Sequence, residues 1–578
     1  MQIGFYKDRI SVSVPYNEEN LERCRSLPGA QWKAKVKRWT YPATPWAAEA
    51  VVSMWRPLTD SVGVIRFDST DADQRFMDLM TRAIQIDDSQ VFKTMSDREL
   101  EAYKNPVSKL PSWNHQKRSH HWSRPRTGSY LALEMGCGKT KVAIDLFNEF
   151  DARRVLVIAP LYVVIDVWWK DFEKHSIHKW EIVDPIKKID DRIIKIRRFM
   201  DSPVQRVCVV QNYEALDQKR MQELLLSYEW DYIVLDEGHR VMAPGGSRSR
   251  FLANLADHAK RRMICSGTPM PNGPDNFYAQ ARFLDKGLFG ASFAIYKSKW
   301  LIIDQFGRCR GVQHDRKKEF EAMIDKIMFR VRSDDVLDLP DKTDVVLTCE
   351  LEPKALKIYK SLRDTMAAMV KSGDVYEEDG HLKYKKSDRV ATAANGAVKM
   401  GMLRQMVGGF IPDVDVSGKR IGETRVSMAK RKLLKEVLTD LGEQPVVVWG
   451  LYHTDLNEAQ EVCEELKLSS REVSGRTKKT ELEEWKNGEA QVLIVQIQAG
   501  AEGIDCTRAS KAIYFSQSWQ PGQRDQSERR VRRPGQKDHV TYYHLIAKGT
   551  VDGYVYASLD RKESVIASVL NGIVKDSD

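Results

Sequence analysis

Ser129-Tyr130-Leu131-Ala132-Leu133-Glu134-Met135-Gly136-Cys137-Gly138-Lys139-Thr140 reads as an apolar strand that runs into a glycine-rich turn and then a helix over Val142 to Phe150. Gly136 and Gly138 let the backbone bend tightly and turn successive N–H groups inward. The loop, Cys137 included, then forms an anion cradle with the N-terminus of the following helix. In such a phosphate loop Lys139 reaches the β- and γ-phosphates and Thr140 holds Mg²⁺. The bland alternative is a surface turn at a helix start. Leu133 departs from the pattern, standing where its first glycine belongs.

The chain has 578 residues, enough for three or more domains, because single cores rarely grow past about 250–300 residues. With 42% apolar and 30% charged residues it is globular rather than disordered. A net charge of +10 suits a polyanion, because clustered Lys and Arg gain free energy by releasing counterions from phosphates. Ordinary solubility accounts for the same charge. The eight cysteines are scattered, without a CxxC pair or zinc spacing, and read as reduced thiols. The N-terminus lacks the apolar centre of a signal peptide, and the apolar run Val155 to Trp169 is too short to span a bilayer. The expectation is a soluble monomer without membrane contact, cytoplasmic in a bacterial or phage-infected cell, or nuclear.

Further along, Val155 to Pro160, Val207 to Tyr213 and Tyr232 to Leu235 are apolar runs separated by helical segments. That alternation implies a doubly wound parallel sheet with ligands at the carboxyl ends of its strands. Gln116, shortly before the loop, has an amide suited to the N6/N7 edge of adenine. After the strand Asp-Tyr-Ile-Val-Leu comes Asp236-Glu237-Gly238-His239. Asp236 is placed to bind Mg²⁺, and Glu237 to orient and deprotonate the attacking water. A simple N-cap is the alternative. Ser266-Gly267-Thr268-Pro269 is a strand-end turn able to couple this site to a bound strand or to the other lobe, and Ser266, Gly267 and Thr268 are candidate nucleic-acid contacts.

A second α/β layer follows from Val446 to Trp449 and Val492 to Val495 with helices between them. Gln498 to Asp505 comes directly after a strand; Gly500 and Gly503 permit close approach of a phosphate backbone, and Asp505 suits a ribose hydroxyl or an arginine. Gln526, Arg530 and Arg533 recur at i, i+4 and i+7, on one helical face. A guanidinium fork there would meet the charge that develops on a γ-phosphate, whereas a basic helix lying on DNA would better explain Arg524, Arg529 and Arg532.

At the N-terminus, Gln-Trp-Lys-Ala-Lys-Val-Lys-Arg-Trp-Thr-Tyr-Pro occupies 31 to 42. As one strand it would line Lys33, Lys35 and Lys37 on one side and put Trp32 and Trp39 on opposite faces. Basic residues interleaved with aromatics, Trp32, Lys33, Lys35, Lys37, Arg38 and Trp39, suit phosphates and exposed bases. A small α/β module with a tryptophan core and solvated lysines is the alternative reading.

Taken in order, Leu-Ala-Leu-Glu-Met-Gly-Cys-Gly-Lys-Thr, Gln-Asn-Tyr-Glu-Ala-Leu, Asp-Glu-Gly-His, Ser-Gly-Thr-Pro-Met-Pro-Asn and Gln-Ser-Glu-Arg-Arg-Val-Arg-Arg-Pro-Gly-Gln resemble the motifs of Swi/Snf-type ATPases of helicase superfamily two. The resemblance covers about 105 to 570, and its departures are Leu133 for the usual Asp, and Arg532 and Pro534 in the last motif. Residues 1 to about 55 resemble the HARP domain of annealing helicases. The resemblance implies two tandem RecA-like lobes of parallel sheet and helix, ATP and Mg²⁺ as ligands, and arginine fingers at Arg530 and Arg533. It places a HARP-like α+β module at 1–60, a helical linker at 61–110, lobe one at 111–335, an inter-lobe helical and insertion region at 336–430 and lobe two with a C-terminal brace helix at 431–578. The implied activity is double-stranded DNA translocation that remodels or reanneals forked or branched DNA. A strand-separating DNA or RNA helicase, a remover of DNA-bound proteins and a non-catalytic scaffold stand as rivals.

Overall fold

The computed structural model describes residues 1–59, 65–160, 168–185, 188–202, 206–241, 243–270, 273–290, 292–305, 309–371, 375–378, 381–384, 401–414, 420–477, 480–500, 504–518 and 521–561. Its backbone forms two compact units, Met1–Val336 and Leu337–Asp578. Among the described residues no helix is long and apolar enough to cross a membrane.

The core of unit one is a seven-stranded sheet in the order Met328–Val331, Gly128–Leu133, Ala259–Cys265, Trp230–Asp236, Arg154–Ala159, Val207–Asn212, Glu181–Val183. Every pairing is parallel. Gly128–Leu133 and Val207–Asn212 are buried along their whole length, which accounts for their unbroken rather than alternating apolar character. Helices such as Lys139–Glu149 and Phe277–Leu284 cover the sheet, the latter so closely that a β-carbon on Gly128 would lie 2.4 Å from Leu284 O. This is the doubly wound parallel arrangement expected of a RecA-like lobe.

The N-terminal module is a five-stranded sheet, in the order Gln31–Lys33, Arg38–Pro42, Arg9–Ser13, Gln2–Tyr6, Arg66–Phe67. Its core reaches past residue 60 to Phe76 on the helix Thr70–Asp88. A two-residue edge strand is too short for periodicity to reveal. The module belongs to unit one and is docked on the large sheet's core through Trp46 and Lys326. Lys326 Nζ lies 3.4 Å from Glu49, 3.3 Å from Asp87 and 4.4 Å from the centre of the Trp46 ring.

Residues 31–42 are not one strand. The chain reverses over Ala34–Lys37, with Val36 N donating to Lys33 O at 3.2 Å and Lys37 in the left-handed region at φ 50°. Trp32 and Trp39 therefore sit directly opposite each other, ring centres 5.6 Å apart, on one face of a hairpin. The turn lacks the Gly or Asn that normally signals a positive φ, which is why alternation alone reads through it.

Unit two carries a wholly parallel six-stranded sheet, ordered Lys342–Cys349, Val540–Ala547, Lys511–Tyr514, Val446–Gly450, Val492–Gln496, Ser470–Val473. The edge strand Lys342–Cys349 falls in the stretch expected to be helical and inserted; its mixture of exposed and half-buried positions hides the apolar signal of a buried strand. Beyond it a helix runs over Pro353–Lys371, followed by the hairpin Val375–Glu378 with His381–Tyr384.

Replacing Gly128 by Ala forces the strand away from a backbone carbonyl and should cost about 1–3 kcal/mol. Thermal unfolding followed by tryptophan fluorescence tests this. A wild-type midpoint would show that the strand shifts freely against Phe277–Leu284.

Candidate nucleotide site

The loop Glu134–Gly138 leaves the strand Gly128–Leu133 at its carboxyl end and leads into the helix Lys139–Glu149. Gly136 and Gly138 are left-handed, at φ 84° and 77°, a conformation that side chains disfavour. At Gly138 a β-carbon would also lie 2.2 Å from Gln116 Nε2. Leu133 is fully buried, and its carbonyl accepts from Lys139 Nζ at 3.0 Å. Gln116 is 3% exposed; Nε2 donates to Cys137 O at 3.3 Å and Oε1 accepts from Trp113 N at 3.1 Å. His115 Nε2 lies 3.0 Å from the same Cys137 carbonyl. The residue expected to read adenine thus buttresses the loop, with both ends of its amide engaged internally.

Asp236 ends the strand Trp230–Asp236 and is 6% exposed. Its Oδ2 accepts from Trp168 Nε1 at 3.0 Å, and its Oδ1 accepts from Glu237 N at 3.0 Å. Burial foremost, then the charge of Glu237, push its carboxyl above the ordinary range, against the charge of Lys139 and these two N–H donors. Glu237 itself is left-handed at φ 46°, a conformation that costs a non-glycine residue about 1–3 kcal/mol and is held by its surroundings. Its Oε2 lies 3.3 Å from Ser266 Oγ and 3.2 Å from His239 Nδ1. His239 Nδ1 is also 2.8 Å from Ser266 Oγ and 3.5 Å from Thr268 Oγ1.

This cluster corrects the expectation for Ser266. Ser266 is fully buried with its hydroxyl turned to Glu237 and His239, so it cannot line a nucleic-acid surface. Gly267 is the point of close approach: a β-carbon there would lie 3.3 Å from Glu134 Cα and 3.5 Å from Leu133 O. Gln280 pins the turn, donating to Pro269 O at 2.9 Å while accepting from Tyr130 Oη on the loop's own strand at 2.9 Å. Trp168, His239 and Gln280 carry much of this geometry. Only His239 had a sequence signal, its place in the Asp-Glu-Gly-His run.

The fit of a divalent cation is testable on these residues. Asp236 is a buried carboxylate whose ionised form burial disfavours, a penalty that a bound cation would relieve. Thr140 supplies a hydroxyl at the start of the loop helix, where it interacts with Asp171, a carboxyl that burial raises to about 6. The donor set is all oxygen, which suits Mg²⁺.

Unit two brings together Asp505, Arg530 and Arg533. Arg533 Nη1 lies 3.6 Å from Asp505 Oδ2, and Arg530 O accepts from Cys506 N at 3.0 Å. Burial alone would raise the Asp505 carboxyl, but the Thr507 amide and hydroxyl and the charge of Arg533 reverse this and hold it below its ordinary value. Gln526 and Arg530 lie on the helix Pro521–Val531, Gln526 half-buried and Arg530 buried. Gly500 closes the short helix Ile497–Gly500, and Gly503 lies outside the described residues. The basic-helix reading loses two of its cations. Arg524 is bound to Glu528 at 2.8 Å, and Arg532 Nε donates to Pro340 O at 2.7 Å.

On the hairpin, Trp32 is 52% exposed, Lys35 and Lys37 are exposed and Lys33 and Trp39 half-buried. Arg38 is committed elsewhere: Nη2 donates to Asp68 Oδ1 at 2.9 Å, and Nη1 also pairs with Asp68.

Because the folded Asp236 value lies above the unfolded one, near 4, its contribution to stability is complete below about pH 4 and is lost as pH rises through the raised value. In nucleotide-free protein the thermal midpoint of wild type, measured relative to Asp236→Asn, should therefore fall between about pH 4 and neutrality. A flat difference over that window would mean an ordinary carboxyl.

Residues 81–396, more than half of the chain, match the SNF2-related domain, and residues 429–535 match the helicase conserved C-terminal domain. The chain is 25% identical over 463 residues to the mouse (Mus musculus) DNA annealing helicase and endonuclease ZRANB3, covering 76% of this chain and 39% of that protein. It is 24% identical over 493 residues to the Gallus gallus DNA repair and recombination protein RAD54B, covering 77% and 52%. The chain therefore spans about two fifths to one half of the length of these relatives. Among solved structures, the Sulfolobus solfataricus SWI2/SNF2 ATPase core in complex with dsDNA aligns at 22% identity and a TM-score of 0.37, over 81% of this chain and 96% of that one. With the phosphate loop, the Asp236-Glu237 strand end and the two matched domains in sequence order, the chain belongs to the SNF2-related family, the Swi/Snf-type ATPases of helicase superfamily two.

Proposed function

We propose that this protein is an ATP-dependent translocase on double-stranded DNA that remodels or reanneals forked or branched DNA. The observation that carries the ATPase part is the clustering, at the carboxyl ends of two parallel strands separated only by Ala259–Cys265, of a left-handed glycine loop with Lys139, a buried Asp236 and a strained Glu237. Parallel sheets bind ligands at that end, and strain held by surrounding contacts marks functional residues.

In this reading the loop amides of Gly136, Cys137 and Gly138 and the Lys139 ammonium bind the phosphates, for which Lys139 leaves Leu133 O. Thr140 and Asp236 would hold Mg²⁺, which when bound neutralises charge on the β- and γ-oxygens. Glu237 orients the attacking water and takes its proton, its carboxylate held in place by Ser266 and His239. Arg530 and Arg533 meet the charge that develops on the γ-phosphate. The Ser266–Thr268 turn touches both the loop and Glu237, so it reports the state of the nucleotide to the rest of unit one.

The DNA part rests on the N-terminal hairpin, where the exposed Trp32, paired with a half-buried Trp39, stands beside Lys33, Lys35 and Lys37. Rings and cations in that arrangement suit unpaired bases and backbone phosphates, as a fork presents them. The name of the mouse relative, an annealing helicase, agrees with this reading.

Steady-state ATP hydrolysis without nucleic acid and with single-stranded, duplex and forked DNA tests the proposal. Duplex or fork should stimulate the wild type, and Lys139→Ala, Glu237→Gln and Arg533→Ala should each lose about 10²-fold or more. Stimulation by RNA alone would overturn the substrate, and full activity of Glu237→Gln would overturn the base. Trp32→Ala combined with Ala at Lys33, Lys35 and Lys37 should lower the ratio of fork-stimulated to duplex-stimulated rates. An unchanged ratio would reduce the hairpin to a structural element.

A further inference from the structure

The helix Pro521–Val531 is tied to the start of the strand Lys342–Cys349 by a closed ring of four charges. Lys342 Nζ lies 2.7 Å from Glu528 Oε2 and 3.5 Å from Asp344 Oδ2. Arg524 lies 2.8 Å from Glu528 Oε1 and 3.2 Å from Asp344 Oδ1. Each cation thus touches both anions, and the two signs balance. Arg524 and Glu528 are 10% and 12% exposed and Asp344 and Lys342 27% and 37%, so water screens the Arg524–Glu528 side of the ring weakly. Further bonds hold the ring from outside: His544 Nε2 is 2.7 Å from Asp344 Oδ1, and Tyr542 Oη donates to Glu528 O at 2.7 Å. Beside it, Arg532 Nε donates to Pro340 O, and Tyr514 Oη meets Ser527 Oγ at 2.6 Å.

The ring joins two stretches of particular consequence. One is 337–344, by which the chain enters unit two. The other is the helix that carries Arg530 and leads directly to Arg533. An isolated exposed ion pair contributes about 0–1 kcal/mol, so stability alone is a poor reason for such a construction. Partly buried, mutually satisfied charges do fix register, because any slip leaves a charge without its partner.

We infer that the Lys342–Glu528–Arg524–Asp344 ring is the positioning device of the arginine fingers: it sets the rotation and axial place of their helix relative to the segment 337–344. The ring residues act through the helix, and Arg532, anchored on Pro340, holds the turn from which Arg533 reaches Asp505. This inference rests on the finger roles proposed above. Its distinguishing consequence is that the ring has nothing left to position once the finger is gone.

The test uses the full chain with ATP and saturating duplex DNA, in single-turnover hydrolysis that reads residual rates, with KM for ATP from steady-state runs. Lys342→Met and Asp344→Asn should each slow hydrolysis roughly 10-fold with KM for ATP changed less than about 2-fold, and Lys342→Arg should keep most of the rate. On an Arg533→Ala background the same two substitutions should change nothing further. Losses that multiply with that of Arg533→Ala would overturn the inference, as would ring variants with wild-type rates. If Arg533→Ala itself hydrolyses like wild type, the finger assignment has failed, and the ring falls with it.

Discussion

A carboxylate sealed at the end of a buried parallel strand sets the terms for unit one. Asp236 has almost no access to water, and an unpaired buried charge is so costly that every neighbouring donor must answer it. The indole of Trp168, the amide of Glu237 and the charge of Lys139 do so, and they come from three different stretches of the chain. The strand order explains the rest. Ala259–Cys265 lies between the strand that feeds the phosphate loop and the strand that ends in Asp236. The turn that follows it therefore has the loop on one side and Glu237 on the other. Gly267 permits the first approach, and Ser266 makes the second contact. The turn's contact with both the loop and Glu237 follows from topology, since nothing in its own sequence requires it.

Charge in unit two is used in an equally committed way. A stretch rich in arginine invites a reading as a DNA-facing surface, yet Arg524 and Arg532 spend their donors on Glu528, Asp344 and Pro340. Half-buried guanidinium groups have several fixed donors to satisfy, and the nearest acceptors are in the protein. What distinguishes Arg533 is its long, half-exposed contact with Asp505, a partner that it can leave at modest cost. The N-terminal module divides in the same way, with Arg38 locked to Asp68 while Lys35 and Lys37 face water.

Much of the architecture was legible because parallel strands buried on both faces have to be continuous apolar runs. Val155–Pro160, Val207–Tyr213 and Val446–Trp449 announce themselves, and the structure places strands at Arg154–Ala159, Val207–Asn212 and Val446–Gly450. The edge strand Lys342–Cys349 did not, since exposure on one side removes the constraint that writes the pattern. The hairpin at Lys33–Arg38 was hidden for a different reason: a lysine occupies the left-handed position that glycine or asparagine would have advertised.

By itself the sequence determined which residue types stand at strand ends: the glycines before Lys139, the paired carboxylates Asp236 and Glu237, and the arginine spacing to Arg533. Local chemistry is enough for that, because a tight turn or a phosphate cradle is built from neighbours along the chain. Tertiary structure alone decided that Gln116 braces Cys137, that Ser266 faces Glu237 rather than solvent, and that Trp168 reaches Asp236. Each of these is a contact between stretches 21 to 68 residues apart, made possible only where sheet order brings their ends together.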